Sequence, residues 1–342
     1  MALIKVNNRG QSADFSTEIG ATKNLIINGN FDVWQRGTSL SITTSNFRIA
    51  DQWVTYPGTG GSGTASRQSF ALGQTDVPGE PTYYLRMDMT GAASSAPNIQ
   101  HRIEDVRTAA GQEVTLSFYA KCGSGTVVVD PIIRQYFGTG GSPSASVDIS
   151  PTDITLTTSW QKFTRTFTMG SLSGKTLGTD NMHQIQIRLQ LPDSATYTVD
   201  ISQVQLEVGD SATTFERRSY AEVLSLCSRY YHTSFSGETT IGGSHPASYA
   251  GKVFSWCDHY GSSPDRIAFN YQWPVQMRDI PTVTMYGNAW TSARISQYNG
   301  GASEFTIDYA SGVSRNGLGG YYDVAGANGD FMVAYVEASA EL

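Results

Sequence analysis

The sequence predicts an all-β protein made of two sandwiches joined by a short helix, and three observations lead to this prediction. Charged residues make up only 15% of the 342 residues, whereas glycine (35 residues) and aromatic side chains (11%) are abundant. Many short segments alternate apolar and polar side chains with period two, which is typical of strands. A convincing helical period of 3.6 occurs only once, after Phe215.

Segment 199–231 closes one predicted unit and begins the next. Val199 and Ile201 share one parity, whereas Val204 and Leu206 share the other. One inserted residue moves the apolar side chains of a strand to its opposite face. The sequence therefore predicts a β-bulge between Ile201 and Val204.

The helix that follows this strand has a clear start signal. After the loop 209–215, Ser219 and Glu222 form the S-x-x-E pattern of a capping box. The apolar residues that share one helical face are Tyr220, Val223, Leu224, Cys227, Tyr230 and Tyr231. We expect this helix to pack between the two β units.

The chain length favours two domains, each large enough for its own core. We expect an amino-terminal arm at 1–23, a jelly-roll β-sandwich at 24–215, the linking helix at 216–231 and a second, smaller β-sandwich at 232–342. The strands predicted in the first sandwich are 48–56, 66–72, 83–90, 113–121, 125–137, 160–169 and 183–191. Those predicted in the second are 248–256, 265–277, 281–287, 304–310, 319–324 and 330–338.

Composition excludes several partner classes. A net charge of −7 argues against nucleic acid, because phosphate binding needs clustered Lys and Arg. The sequence contains no apolar run long enough to insert in a membrane and no secretion signal. Cys122, Cys227 and Cys257 show no metal-binding spacing, so we expect free thiols in a protein made in a reducing cytoplasm.

Several long motifs resemble a known family. NLIINGNFDVWQRG with ADQWVTY, then LSFYAK and QVQLEVGDSATTFERR, occur in the order found in the module shared by many bacteriophage and prophage tail-fibre and appendage proteins. That module is similar to jelly-roll carbohydrate-binding modules. The resemblance covers 24–231, and VQMRDIPTVTMYG with the terminal AEL resembles the variable ends of such proteins in outline.

The resemblance implies a non-enzymatic virion protein, made in the bacterial host cytoplasm, that binds host-surface polysaccharide as a homotrimer. Its arm, 1–23, would attach it to other tail or capsid proteins. One alternative is a decoration protein of the capsid or tail that binds no glycan. Another is a polysaccharide depolymerase, which is less favoured because the short repeats of a longer β-helical body are missing from the sequence.

The resemblance also bears on calcium. Many calcium-binding jelly rolls carry paired Asp residues in the closing strand, where this chain has Ser202 and Gln203. A calcium site near Asn28, Asn30 and Glu207 is the one metal candidate, and this departure argues against it. We predict no other cofactor.

We predict no catalytic site. The G-x-G-x-x-G at 58–63 precedes a strand pattern rather than a helix, which predicts a hairpin loop instead of a nucleotide site. Cys257, Asp258 and His259 are adjacent, and adjacent side chains rarely form a triad. We expect Glu104 to lie on a solvated face. The five histidines lack the spacing of a metal site.

The candidate glycan contacts lie in the Gly-rich loops of the second unit. Sugar rings have apolar faces and hydroxyl edges, so flat aromatic side chains and short amides bind them. The predicted contacts, flanked by turn residues, are Trp290, Tyr321, Tyr322, Tyr298 and Asn288. The alternative surface is formed by the loops around Tyr56 and Tyr136.

Overall fold

The prediction of an all-β fold is confirmed. The computed structural model describes residues 23–43, 47–48, 50–235, 251, 253–258, 265–286, 294–297, 304–306, 312–324 and 331–342. The strands of the first unit are β1 (Ser39–Ile42), β2 (Phe47–Arg48), β3 (Trp53–Tyr56), β4 (Ser62–Ser69), β5 (Tyr83–Gly91), β6 (Asn98–Glu104), β7 (Glu113–Cys122), β8 (Val127–Tyr136), β9 (Val147–Ile149), β10 (Ile154–Leu156), β11 (Gln161–Thr168), β12 (Gln184–Gln190) and β13 (Tyr197–Val208).

The elements that follow are one described helix and nine strands. They are α1 (Tyr220–Ser228), β14 (Tyr231–Thr233), β15 (Val253–Asp258), β16 (Asp265–Gln272), β17 (Thr282–Tyr286), β18 (Arg294–Gln297), β19 (Glu304–Thr306), β20 (Val313–Ser314), β21 (Gly317–Val324) and β22 (Phe331–Ser339).

The first unit is a sandwich of two antiparallel sheets. Sheet I has the order β1-β4-β5-β13-β7-β11, and sheet II has the order β10-β8-β12-β6-β3-β2 with β9 paired to β8. Consecutive strands thus alternate between sheets at several points, as in a jelly roll. The inner faces bury one apolar core that includes Trp53, Phe118 and Ile187. Side chains of the opposite parity therefore lie on the outer faces.

The predicted β-bulge is confirmed in β13. Its pairing with β7 shifts register between Ser202 and Gln205, and Gln203 adopts a left-handed backbone with φ of 49°. The amino-terminal apolar segment 25–27 is not assigned to a strand. It lies irregularly against β13, where Val204 N–H donates to the Gly29 carbonyl over 2.8 Å. A Cβ on Gly29 would lie 2.0 Å from Val204 O, so glycine is required for this approach.

The glycine-rich segment 58–63 is not a hairpin loop, although its rejection as a nucleotide site fits the strand that begins at Ser62. It joins β3 of sheet II to β4 of sheet I, and these strands do not pair with each other. Gly58 has φ of 76°, and a Cβ there would lie 2.1 Å from Ser95 O. The glycines therefore allow the chain to pass from one sheet to the other in close contact with neighbouring backbone.

The linking helix starts as predicted and is shorter than 216–231. Ser219 is the N-cap, and its hydroxyl accepts from the Glu222 N–H. Val223 and Cys227 are buried and pack on Val33 of the first unit, whereas Leu224 is only partly buried. The expectation that Tyr220 belongs to the apolar face was wrong, since it is 58% exposed.

The nine strands of the second unit are hydrogen-bonded into one sheet that is organised around β22. The carboxyl half of β22 pairs with β14 and β17, and its amino half pairs with β15 and β18. A central strand with four neighbours requires the sheet to change partners along its length. A separate apolar cluster, including Met277, Met285 and Val336, forms the core of this unit.

Candidate functional site

The outer face of sheet II carries an ordered array of amide side chains. In β6 and β12, the apolar residues point into the core, so the residues between them point outward. We call this surface the amide face, and its residues are Tyr56, Asn98, Gln100, Arg134, Tyr136, Gln186, Arg188 and Gln190. The face is built from four neighbouring strands, β3, β6, β12 and β8.

Strand register places these side chains in rows across the sheet. Arg188 pairs with Gln100 on one side and with Ile132 on the other, and Gln190 pairs with Asn98. Directly paired residues in antiparallel strands have side chains within about 5.5 Å of each other. Residues that are about 90 positions apart in sequence therefore form one continuous hydrogen-bonding surface.

Several residues of the amide face are largely buried, including Asn98 at 7% and Gln100 at 8% exposed. Gln186 is 9% exposed and Ile132 is 6% exposed, although Ile132 is not part of the sandwich core. Tyr56 and Tyr136, at the ends of β3 and β8, are half-buried. Tyr56 and Tyr136 thus place an aromatic ring near two corners of the face.

Two arginines on the amide face share one carboxylate. Arg134 donates twice to Asp148, and Arg188 Nη2 donates to Asp148 Oδ2 over 2.9 Å. The hydrogen bonds from Arg134 are the main reason that the pKa of Asp148 lies below its usual range. Asp148 is therefore a fixed anion that orients two guanidinium groups toward the face.

One corner of the same sheet is covered by the end of the second unit. The guanidinium groups of Arg48 and Arg102 both donate to the Leu342 carbonyl. Glu341 forms ion pairs with Arg36 and Arg48, at 2.6 and 3.5 Å. The part of the amide face away from this corner is formed by β12, β8, the start of β6 and the end of β3.

A cleft of about 910 Å³ is lined by residues of both the first and the second unit. Its walls include Asp32, Arg217 and His232, and the Arg67 guanidinium lies 4.3 Å from the Tyr83 ring centroid. Burial lowers the pKa of His232 to about 4. The Nε2 atom of His232 lies 2.7 Å from Tyr271 Oη, so a side chain of the second unit holds this histidine.

Three of the five sequence-predicted glycan contacts lie outside the described residues. These three, Trp290, Tyr298 and Asn288, stay predictions. Tyr321 and Tyr322 fall in the predicted strand 319–324, although they were also named as loop contacts. Their backbone lies within β21, where it pairs with β16, so the strand is confirmed and the loop position is not. The preceding GLGG is part of that strand because hydrogen bonding along a whole strand outweighs the local glycine signal.

Two of the three calcium candidates, Asn28 and Glu207, are engaged by protein groups. Asn28 Oδ1 accepts from Val33 N–H, and Glu207 accepts from the Thr213 N–H and hydroxyl. In the same region Arg218 donates to the backbone carbonyls of residues 24 and 26. Within the described residues, we find no cluster of three or more His, Cys, Asp or Glu side chains suited to a metal ion.

Other predicted features have mixed outcomes. Glu104 is not simply solvated, since Arg229 binds its carboxylate at 2.9 Å and the Tyr230 hydroxyl donates to it. Cys122 and Cys227 are buried free thiols, whereas the side chain of Cys257 lies outside the described residues. In the described part of the chain, no helix is both apolar enough and long enough to cross a membrane.

Sequence reasoning missed the amide face, although part of the signal was visible. In the segment QIQIRLQ of β12, the Ile and Leu residues alternate on one face, and they indicated the strand. The opposite face carries Gln186, Arg188 and Gln190. The strand NIQHRIE of β6 was not among the predicted strands. The adjacency of β6, β12 and β8 comes from long-range pairing, which local periodicity does not contain.

The fold and this face define a jelly-roll β-sandwich protein with a polar sheet surface. No protein-family model matches the chain, and no curated protein matches it. Similar solved structures include a putative sugar-binding protein from Bacteroides thetaiotaomicron, at 16% identity over 55% of this chain and 100% of that one, with a TM-score of 0.36. A family 11 carbohydrate-binding module from Clostridium thermocellum is 13% identical over 51% and 98%, with a TM-score of 0.32.

A phage protein is also similar. The enzymatically active domain structure of bacteriophage CBA120 tailspike protein 4 is 12% identical over 54% of this chain, with a TM-score of 0.32. The match covers 21% of the tailspike chain. Likenesses at this level do not define a function, which has to come from the residues of the site.

Proposed function

We propose that this protein is a non-enzymatic, glycan-binding virion protein of a phage tail fibre or appendage, and that the amide face of sheet II binds the glycan. The observation that carries the glycan-binding part is the outward parity of β6 and β12. It places Asn98, Gln100, Gln186 and Gln190 on one continuous surface. Such a surface has donors and acceptors side by side.

Amides suit this task for a chemical reason. A sugar hydroxyl both donates and accepts, and a glutamine side chain offers two donors and one acceptor oxygen. Among the described residues, the side chains of Gln186 and Gln190 have no hydrogen-bond partner, whereas Gln100 donates to Asn98. Tyr56 and Tyr136 add apolar ring faces on which a pyranose can stack.

The carboxylates near the face support a binding role rather than hydrolysis. A glycosidase needs two carboxyl groups facing one bond, one of them protonated. Asp148 is held as an anion between Arg134 and Arg188, and Asp130 accepts from the Ser150 hydroxyl. These contacts leave both carboxylates as structural partners of neighbouring side chains.

The virion part of the proposal is supported by the sequence resemblance. The protein is made in the bacterial host cytoplasm, joins the particle through the arm 1–23 and acts as a homotrimer. Because one sugar site typically binds weakly, three copies engaging a surface together would give useful adhesion. A mass of one copy by light scattering at micromolar concentration would contradict the trimer.

The experiment that tests glycan binding is an array of bacterial surface polysaccharides probed with the intact protein. The proposal expects binding to a small set of polysaccharides, with no change in their chain length after incubation. Silence across the array together with stoichiometric incorporation into particles would instead support a decoration protein. Shortened polysaccharide would show a depolymerase.

A further inference from the structure

A second, smaller cavity lies on the opposite sheet and is separate from the amide face. It has a volume of about 300 Å³ and opens on the outer face of sheet I, beside the bulge of β13. Its lining residues come from six parts of the chain. They are Asn30, Pro78, Gly79, Ser117, Tyr119, Lys162, Gln203, Thr214, Phe215 and Arg217. No carboxylate is among them.

The bulge shapes this cavity. Gln203 lies at the register shift with a left-handed backbone, which turns its side chain away from the regular strand alternation. Its Nε2 donates to the Pro78 carbonyl over 2.6 Å and so ties the loop at 78–79 to the sheet. The loop forms one wall, and buried Ser117 of β7 contributes to the cavity lining.

One residue of the cavity lining, Asn30, carries a buried acceptor that has no partner in the described part of the chain. Asn30 is 6% exposed, and its Nδ2 donates to Asp32 Oδ2 over 3.0 Å. A carboxylate only accepts, so this bond fixes which way the Asn30 amide faces. Asn30 Oδ1 is buried and has no partner among the described residues. A buried acceptor without a partner is costly, and a ligand hydroxyl would satisfy it.

Two cations stand at the exposed side of the cavity. Lys162 Nζ donates to Thr213 O over 3.0 Å, and Arg217 Nη1 donates to Gly79 O over 2.9 Å. Both side chains retain further donors after these bonds. Asp32 accepts from Asn30 and interacts electrostatically with Arg217, but it is not part of the lining. The charge at the mouth therefore favours an anionic group.

We propose that this cavity is a second glycan site that takes a single acidic sugar residue, a hexuronate. A ligand hydroxyl would donate to the Asn30 acceptor, and a ligand carboxylate would pair with Lys162 and Arg217. Tyr119 and Phe215 supply ring faces for the pyranose. The volume is at the lower end of about 300–1,000 Å³ for small-molecule sites, which fits one ring. The site does not depend on the amide face.

The test is saturation-transfer NMR on the full-length protein with D-glucuronate and D-galacturonate as probes and D-glucose as the neutral comparison. The variants are Lys162→Gln and Arg217→Gln, which keep a donor and remove a charge at exposed positions. Lys162→Arg restores the charge, and Gln186→Ala is the control on the amide face.

The site is supported if a hexuronate binds at least about tenfold more tightly than glucose, and if either charge-removing variant loses most of that preference. Lys162→Arg should restore it, Gln186→Ala should leave it unchanged, and 300 mM salt should weaken it. The site would be refuted if the protein bound acidic and neutral sugars equally well. It would also be refuted if only Gln186→Ala lost the preference for hexuronate. Lys162→Gln should still bind any polysaccharide found on the array, so failure here is distinguishable from failure of the amide face.

Discussion

Arg36 of the first unit donates to the Glu341 carboxylate over 2.6 Å, across 305 positions of sequence. The same guanidinium lies 3.3 Å from the centroid of the Tyr231 ring, and its Nη1 is 3.8 Å from Asp51 Oδ1. Asp51 in turn accepts from the Gln35 backbone N–H over 2.7 Å. Arg36 therefore connects both units and the start of β14 through one buried group.

Removing this connection should cost more than a surface ion pair. Arg36→Met leaves Glu341 buried with fewer charge partners, and breaking a buried pair from one side costs about 3–5 kcal/mol. We expect a loss of this order in the free energy of unfolding, measured by urea titration. The matched control is Arg107→Met, which removes an exposed pair with Asp105 and should cost less than about 1 kcal/mol. Equal losses would show that Arg36 does not join the units.

The linking helix gives a second stability prediction. Val223 is 5% exposed and packs on Val33, so Val223→Asp buries an unpaired charge and should cost at least about 3 kcal/mol. Leu224→Asp should cost less because Leu224 is only partly buried. Ser225→Asp, at an exposed position of the same helix, is the control. If Ser225→Asp lowers the melting temperature as much as Val223→Asp does, the packing of Val223 on Val33 is refuted.

Stability should fall on acidification because of His101. Burial lowers its pKa to about 4 from 6.5, although its ring contacts the Ile27 backbone. The unfolded chain therefore takes up this proton first, and the contribution of His101 is full above about pH 6.5 and lost as the pH falls toward 4. A shift of this size corresponds to about 3 kcal/mol. Burial lowers the pKa of His232 as well, which acts in the same direction.

Asp51 acts in the opposite direction within that window. Burial raises its pKa to about 6, even though Arg36 opposes the shift, so its contribution is present at low pH and is lost as the pH rises through 6. Burial raises the pKa of Asp32 as well, so the contribution of His101 is measured by comparison with a variant that lacks it. Urea midpoints at pH 7 and pH 4.5 measure it, and His101→Phe should show a smaller difference than wild type. An identical pH dependence in both proteins would contradict the assignment to His101.

The attachment arm can be tested by deletion. Asn24, whose backbone N–H donates to Glu216 Oε2 over 2.7 Å, lies at the start of the described fold. Removing 1–23 should leave the melting temperature of the protein within about 2 °C, because the sequence of this arm has no sustained apolar period that would supply a core. Incorporation into phage particles should be lost, as measured by the protein composition of purified virions. Normal incorporation would mean that another segment attaches the protein.

The sequence predicted features that depend on neighbouring residues. The bulge in β13 followed from the parity change between Ile201 and Val204, and the helix start followed from Ser219 and Glu222. Both signals are local, because parity and capping are set within a few residues. The helix boundary on the far side was less well predicted because the 3.6 period continues into Tyr231, which belongs to β14.

Long-range pairing explains what the sequence did not predict. Segment 58–63 has the composition of a hairpin loop, but β3 and β4 pair with other strands. Glu104 was expected in solvent, yet it binds Arg229, 125 positions away. The amide face needs β6, β12 and β8 side by side, and no local period encodes which strands are neighbours. The aromatic loops of the second unit were favoured because their composition is visible without knowledge of the pairing.

The most direct measurement is the affinity of a polysaccharide selected on the array for the Gln186→Ala/Gln190→Ala variant. Trp290→Ala serves as the comparison, because the loops of the second unit are the other proposed contact surface. If the amide face is the main binding surface, the double variant should fold normally and bind at least about tenfold more weakly, a loss of about 1.4 kcal/mol. Wild-type affinity in the double variant, together with a large loss in Trp290→Ala, would contradict binding through the amide face.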